Sequence, residues 1–250
     1  MNNDALKELL YKMADDLLIL GHRNSEWTGL GPILEEDIAF SSMAQDKIGQ
    51  SQVLFKLLQD LGESEPDIVA FSRNSNQFHN CTYVELPIGE YDFSLIRQFL
   101  FDNADWHRWD QLRHSSYTPL AEAANKFRGE VRYHTMHAKS LINVLGNATE
   151  ESIDRLQKVL DESFTFALGI FEKSPFEDQL IDDGIFVGED EIFNKWKSTV
   201  LEILAGTKLH LPDKDIAPAY GGRTGDHSVH LQPLLDEMSE VINIDPSAEW

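Results

Sequence analysis

The chain has 250 residues, of which 42% are hydrophobic, so it is long enough to bury a sizeable core as one domain. Its 43 acidic and 21 basic residues give a formal net charge of -22, which argues against a nucleic-acid or anionic-membrane surface. Cys81 is the only cysteine, which excludes an intrachain disulfide and a cysteine-based metal site. The first residues lack the pattern of a secretion signal, and no run approaches ~20 apolar residues. We therefore predict a cytoplasmic protein without a membrane span.

Apolar residues at steps of three and four predict an all-α protein built on four long helices. A short glycine- and proline-containing turn separates the first two helices, so we expect them to be antiparallel neighbours. We expect residues 1–250 to form a single domain, with a surface loop over 210–230 and a C-terminal helix and tail over 231–250. The predicted helices cover residues 4–26, 32–61, 93–113, 119–145, 149–171, 189–205 and 231–241.

Polar side chains interrupt the otherwise apolar inner faces of these helices. Lys47 and Gln50 lie in the centre of the inner face of the second helix. On the fourth helix His134 interrupts an apolar stripe, with Glu130 and Val131 one turn before it. A buried polar side chain is costly unless it meets a partner, so we expect these residues to lie together. The predicted cluster consists of Glu26, Lys47, Gln50, Asp102, Glu130, Val131 and His134.

The order of this cluster along the helices is that of a di-iron carboxylate bundle. Such a bundle draws one carboxylate from each of two helices and Glu-x-x-His from each of the other two. Here the second helix has Lys47 and Gln50 at these positions, and the fourth has Val131 and His134. A charged lysine has no lone pair for a metal, so too few ligands remain for two irons. The sequence therefore predicts a degenerate di-iron position without catalytic, cofactor-binding or metal-ligating residues.

A network of ion pairs and hydrogen bonds accounts for the same cluster without a metal. Lys47 would neutralise Glu26 and Asp102, and Gln50 and His134 would satisfy the remaining donors and acceptors. Two alternatives stay open from the residues alone. One is a weak metal site on the remaining acids and His134, and the other is a set of unrelated side chains that point to solvent.

The glycine-rich C-terminal stretch carries two weaker signals. His227 and His230 have a spacing that suits a metal but no third ligand nearby. Residues 221–226 have the glycines of a phosphate loop without its Gly-Lys-Ser/Thr ending or a preceding strand. We expect neither to bind a ligand. We also expect His137 at the surface and Trp196 in the core or at an interface.

Motifs along the whole chain resemble those of the ferritin-like subunits of the bacterial phenylacetyl-CoA epoxidase, a multicomponent monooxygenase. Within that family the chain is similar to the non-catalytic C subunits. Each motif is weak alone, and together they are specific. They are residues 24–29 (NSEWTG), 35–39 (EEDIA), 44–50 (AQDKIGQ), 128–134 (RGEVRYH), 221–227 (GGRTGDH), 234–238 (LLDEM) and 244–246 (IDP).

The resemblance implies which ligands have been replaced. The catalytic subunit of the family has a motif like QDEAGH where residues 45–50 read QDKIGQ. This places a lost glutamate at Lys47 and a lost histidine at Gln50. One acid is also missing before His134, where only Glu130 remains.

The resemblance further implies a structural subunit that binds no cofactor itself. Its partners would be a paralogous catalytic subunit, which holds the di-iron centre, and a flavin and iron–sulfur reductase that supplies electrons. Two other functions stay open: a helical acyl-CoA-binding protein, and a di-iron-like oxidoreductase in its own right. The acidity of the chain argues against the former, and Lys47 argues against the latter. The oxidoreductase would be built on Glu26, Asp102, Glu130 and His134.

Overall fold

The computed structural model describes residues 3–212 and 215–245, and in these ranges it contains ten α-helices and no β-strand. None of the helices in these ranges is long and apolar enough to cross a membrane. The helices are α1 (Asn3–Ser25), α2 (Leu34–Asp60), α3 (Pro66–Phe71), α4 (Thr82–Glu85), α5 (Tyr91–Leu112), α6 (Thr118–Leu145), α7 (Glu150–Gly169), α8 (Glu177–Asp182), α9 (Glu189–Leu204) and α10 (Leu231–Ile244).

The centre of the fold is a bundle of the four long helices α1, α2, α5 and α6. α1 and α2 pack closely because Gly21 has no side chain: a Cβ at this position would lie 2.8 Å from Cγ1 of Ile48. Ser51 of α2 also donates a hydrogen bond of 2.8 Å to the carbonyl of Ala14 on α1. In the middle of the bundle, every residue of α5 from 94 to 105 is buried. Polar residues of α5 therefore lie in the core, whichever way they point.

Two further helices cover the side of α5 that the bundle leaves open. α7 and α9 both pack against α5. The indole of Trp196 on α9 donates to the carbonyl of Leu100 on α5 at 2.9 Å, and Phe164 of α7 stacks on the same indole. This confirms the predicted core position of Trp196, which satisfies its only donor there.

The predicted all-α, ferritin-like bundle is confirmed. Its four long helices begin and end within two residues of their predicted bounds. The less regular stretch between α2 and α5 contains the short helices α3 and α4, which are too short for periodicity to detect. The single domain stays a prediction, and residues 246–250 of the predicted tail lie outside the described residues.

The predicted surface loop over residues 210–230 needs correction at Arg223. Its side chain is only 4% exposed, because Nη2 donates to Oδ2 of Asp16 on α1 at 2.8 Å. The loop comes this close because Gly222 has no side chain: a Cβ there would lie 2.4 Å from the carbonyl oxygen of Asn80. We call residues 221–227 the Arg223 plug. Its guanidinium also donates to the carbonyl oxygens of Lys12, His79 and Ile170.

Candidate functional site

The centre of the bundle holds an ion pair between Lys47 of α2 and Asp102 of α5. Nζ of Lys47 lies 2.6 Å from Oδ1 of Asp102, and both side chains are fully buried. The ammonium also lies 5.2 Å from the ring centre of Phe101. Lys47 reaches this position because it follows Met43 by one turn on the inner face of α2. The predicted contact between Lys47 and Asp102 is confirmed.

The second oxygen of Asp102 continues the network toward α1. Nε2 of Gln98, one turn earlier on α5, donates to Oδ2 of Asp102. Oε1 of Gln98 in turn accepts from Nδ2 of Asn24 at 2.9 Å. All three side chains are buried. The charge of Asp102 is therefore stabilised by one cation and one amide, and the chain of contacts joins α1, α5 and α2.

A second pair of residues links α2 to α6. Nε2 of Gln50 donates to Oε2 of Glu130 at 2.9 Å, while Oε1 of Gln50 has no hydrogen-bond partner. Glu130 is half-buried. Val131, next to it, is fully buried and contributes only apolar surface. Gln50 and Glu130 thus meet as a neutral amide and an acid near the edge of the core.

His134 meets an acid that the sequence did not single out. Its Nε2 lies 3.0 Å from Oδ2 of Asp46 on α2, and its Nδ1 has no partner. Asp46 is 31% exposed, so this pair lies where the polar core reaches the surface between α2 and α6. Asp46 directly precedes Lys47 in the sequence. It lies beside the inner face of α2 and not on it, so the helical pattern did not predict this contact.

Glu26 does not belong to the cluster, which corrects the predicted contact with Lys47. α1 ends at Ser25, so Glu26 lies in the turn that follows and leaves the inner face. Its carboxylate binds Nη1 of Arg23 at 2.6 Å and is 32% exposed. Asn24 is the residue at the end of α1 that reaches the network.

The residues at this position do not fit a di-iron centre. Lys47 places an ammonium 2.6 Å from the carboxylate of Asp102, and Gln50 offers only an amide. His134 and Glu130 bind separate partners on α2. In residues 3–212 and 215–245, no three His, Cys, Asp or Glu side chains form a group that could hold a metal ion.

A second buried charge network joins α1, α5 and α9. Glu189 accepts from Nζ of Lys12 at 2.6 Å and from Nη2 of Arg108 at 3.0 Å. Burial lowers the pKa of Lys12 to about 8, although Glu189 opposes this shift. Periodicity missed Lys12 because α1 was expected to have one solvent face, whereas α1 is buried on most sides.

Asp105 lies between the two networks. It is buried one turn after Asp102 and accepts from the indole of Trp109 at 3.1 Å. Burial raises its pKa to about 6, although the charges of Lys47 and Arg108 oppose the shift. Asp105 is therefore a core carboxyl that changes charge in mildly acidic solution.

The weaker sequence signals serve the fold. Nδ1 of His227 lies 2.9 Å from Oε2 of Glu85, and its Nε2 lies 3.0 Å from the carbonyl of Phe78. The backbone amide of Gly221, in the loop compared with a phosphate site, donates to Glu172 at 2.9 Å. His137 is half-buried and not at the surface, because its Nε2 lies 3.0 Å from Oε2 of the buried Glu36.

Comparisons with known proteins agree with the motifs along the chain. The family described as "Phenylacetic acid catabolic protein" matches residues 1–250. The chain is also similar to a protein of Escherichia coli (strain K12) that is named as the C subunit of 1,2-phenylacetyl-CoA epoxidase. The two are 30% identical over 242 residues, which cover 96% of each chain.

Proposed function

We propose that this chain, which belongs to the phenylacetic acid catabolic protein family, is a structural, non-catalytic subunit of a multicomponent phenylacetyl-CoA epoxidase. It pairs with and stabilises a paralogous catalytic subunit in aerobic phenylacetate degradation. The di-iron centre belongs to that partner, a reductase supplies its electrons, and this chain binds no cofactor. One observation supports the proposal: the ammonium of Lys47 lies 2.6 Å from the carboxylate of Asp102 in the core, at a helix position where a di-iron bundle would need a glutamate ligand.

The charge of Lys47 neutralises a buried carboxylate, as a metal ion would in a bundle with intact ligands. A carboxylate buried in a helical core needs a positive charge close by. Lys47 supplies it to Asp102 at 2.6 Å, and the amide of Gln98 supplies a further donor. The core thereby keeps inward polar residues, and among the described residues it has no ligand set with which to activate oxygen.

The outer face of α2 supports pairing with another subunit. Between Glu35 and Lys56, the exposed positions of α2 follow one another at steps of three and four and carry no charge: Ile38, Ser42, Gln45, Gly49 and Gln52. This is unusual for a chain with a net charge of -22. Stable subunit interfaces need such surface, because charged groups are depleted in their cores. We propose that this strip, the α2 strip, docks the catalytic subunit.

Apolar residues on both sides extend the α2 strip. Leu34, one turn before Ile38, is 71% exposed, and Ile38 itself is 59% exposed. Tyr133 and Met136 on the neighbouring α6 are also exposed. The Escherichia coli relative is itself named as a subunit of an epoxidase, which means that it works with other subunits. A second subunit of this family is therefore the occupant that we assign to the strip.

Iron content is the measurement that tests this proposal. The chain, expressed alone in iron-replete cells and purified, should contain almost no iron by elemental analysis while remaining folded and helical. Co-expressed with the catalytic subunit, it should purify as a complex whose iron follows the amount of that subunit. Stoichiometric iron in the isolated chain would overturn the proposal and favour an oxidoreductase in its own right.

A further inference from the structure

A surface cavity of about 510 Å³ lies between α7, α9 and the segment that follows α9. Its helical wall is apolar and consists of Phe164, Leu168, Phe193, Leu201 and Leu204. Leu201 is 47% exposed, so solvent and small molecules reach this wall. Cavities of this size with mostly apolar walls are typical of small-molecule sites. We call this space the α7–α9 cavity.

Hydrogen bonds from α7 hold the segment after α9 in place at two points. The side chain of Gln157 donates to the carbonyl of His210 at 2.9 Å and accepts from its amide at 3.0 Å. Two turns later, Oγ1 of Thr165 donates to the carbonyl of Ala217 at 2.7 Å, and the amide of Ala219 donates to the carbonyl of Thr165 at 2.9 Å. Four further lining residues lie between these points in the sequence: Leu211, Pro212, Asp215 and Ile216. The fold itself therefore forms the cavity.

Three ionisable side chains line the α7–α9 cavity: Lys197, His210 and Asp215. All three are exposed, and none of their side chains forms a hydrogen bond or an ion pair with another residue of the ranges 3–212 and 215–245. Two of them can donate a hydrogen bond and one is an acid. An anionic group therefore meets more partners here than a cationic group does.

Lys197 lies on the apolar wall. It follows Phe193 by four residues and precedes Leu201 by four, so the three side chains share one face of α9. Its Nζ lies 5.9 Å from the centre of the Phe193 ring, which itself lines the cavity. A molecule that packs against this wall thus has an unpaired cation beside its apolar contacts.

We propose that the α7–α9 cavity binds a small amphipathic monocarboxylate. Its carbon chain packs on the apolar wall and leaves water, and its carboxylate accepts a charge-assisted hydrogen bond from Nζ of Lys197. His210 is a second donor in the lining. None of the lining residues belongs to the α2 strip or contacts Lys47, so this site does not depend on the function proposed for the chain.

Calorimetric titration of the full-length chain with three probes of one chain length tests the site. The probes are sodium octanoate, octanol and octylammonium chloride. Octanoate should bind saturably and about fivefold more tightly than octanol, because only the carboxylate forms an ion pair with Lys197. Octylammonium should bind most weakly. No saturable binding of octanoate, or binding of either other probe as tightly as octanoate, would overturn the proposal.

Lys197→Met should remove the preference for octanoate over octanol and keep the binding of octanol, because methionine retains an apolar stem. Lys195→Met is the matched control. Lys195 lies on the same helix but does not line the cavity, and its Nζ lies 3.1 Å from a carboxylate oxygen of Glu191. This variant should keep the preference. Equal loss in both variants would show that the charge of the helix, and not a contact with Lys197, selects the carboxylate.

A crystallographic test needs no variant. In crystals of the wild-type chain soaked with ω-bromooctanoate, the anomalous peak of bromine should lie against the apolar wall of the α7–α9 cavity. Density for the carboxylate should lie within hydrogen-bond distance of Nζ of Lys197. A bromine peak only at another place on the surface, or no peak at all, would reject the site.

Discussion

Lys47 and Asp102 are each fully buried, so each is tolerated because the other is present. Asp102 has one cation and the amide of Gln98, and Lys47 has one carboxylate. Removing either partner strands a charge in the core. Replacing both by neutral side chains leaves no unpaired charge in the core. A double variant therefore separates the cost of an unpaired charge from the cost of losing the side-chain atoms themselves.

Lys47→Ala should lower the free energy of unfolding by about 3–5 kcal/mol, because it leaves Asp102 buried without a cation. Lys56→Ala, on the exposed face of the same helix, is the control and should change little. The double change of Lys47→Met with Asp102→Asn should recover most of the loss. Denaturant unfolding measures all three, and equal midpoints for Lys47→Ala and Lys56→Ala would contradict the polar-core interpretation.

Asp105 gives the stability of the chain a pH dependence with a defined sign. Its pKa is about 6 when folded and near its ordinary 3.8 when unfolded. A raised folded pKa contributes stability that is present below pH ~4 and is lost as the pH rises through ~6. The loss amounts to about 3 kcal/mol, because one unit of pKa corresponds to about 1.4 kcal/mol.

Asp105→Asn should remove this loss, since an amide stays neutral and its oxygen still accepts from Trp109. The variant should therefore be more stable than the wild-type chain at pH 7.5, and the two should approach each other at pH 4. Urea unfolding at a series of pH values measures the difference. A constant difference over this range would show that Asp105 does not titrate between pH 4 and 6.

At the scale of helices, the inner and outer faces of α2 have different roles. Its inner face contributes Lys47 and Gln50 to the core, and its outer face forms the α2 strip. The inner face was predicted from sequence because apolar residues frame it. The outer face was not, because exposed serine, glutamine and glycine are ordinary in any single position and only their shared exposure sets them apart.

Ile38→Glu should leave the isolated chain folded and reduce its recovery with the catalytic subunit at least about tenfold, since it buries a charge in the proposed interface. Val241→Glu is the matched control, because Val241 of α10 is exposed to nearly the same degree. Co-expression with a tagged catalytic subunit measures recovery. Equal recovery of the two variants would remove the α2 strip from consideration.

Glycines at two positions have opposite expected effects. Gly222→Ala should destabilise strongly, because its Cβ would lie 2.4 Å from the carbonyl of Asn80 and 3.0 Å from the amide of Thr82. Gly129→Ala, in the interior of α6, meets nothing within 4 Å and should stabilise by about 1 kcal/mol. Melting midpoints of both variants test this contrast. An unchanged melting midpoint for Gly222→Ala would mean that the Arg223 plug does not pack closely against Asn80.

At the scale of the whole molecule, hydrophobic periodicity was sufficient for the four long helices and for the meeting of Lys47 with Asp102. It failed at Glu26, because a one-residue change in where α1 ends moves that residue off the inner face. It also missed Lys12, Asp16 and Arg223. These charges lie in the core through contacts between segments some 200 residues apart, as in the pair of Asp16 with Arg223, and a local pattern carries no information on such contacts.

The Arg223 plug has a consequence for how the protein is made. Asp16 and Arg223 are 207 positions apart in the sequence, so a growing chain holds Asp16 without this cation until Arg223 has been translated. The core around Asp16 therefore closes only after residues 221–227 have been translated. A chain that stops before residue 223 lacks this ion pair, and proteases should cleave it faster than a chain that contains Arg223.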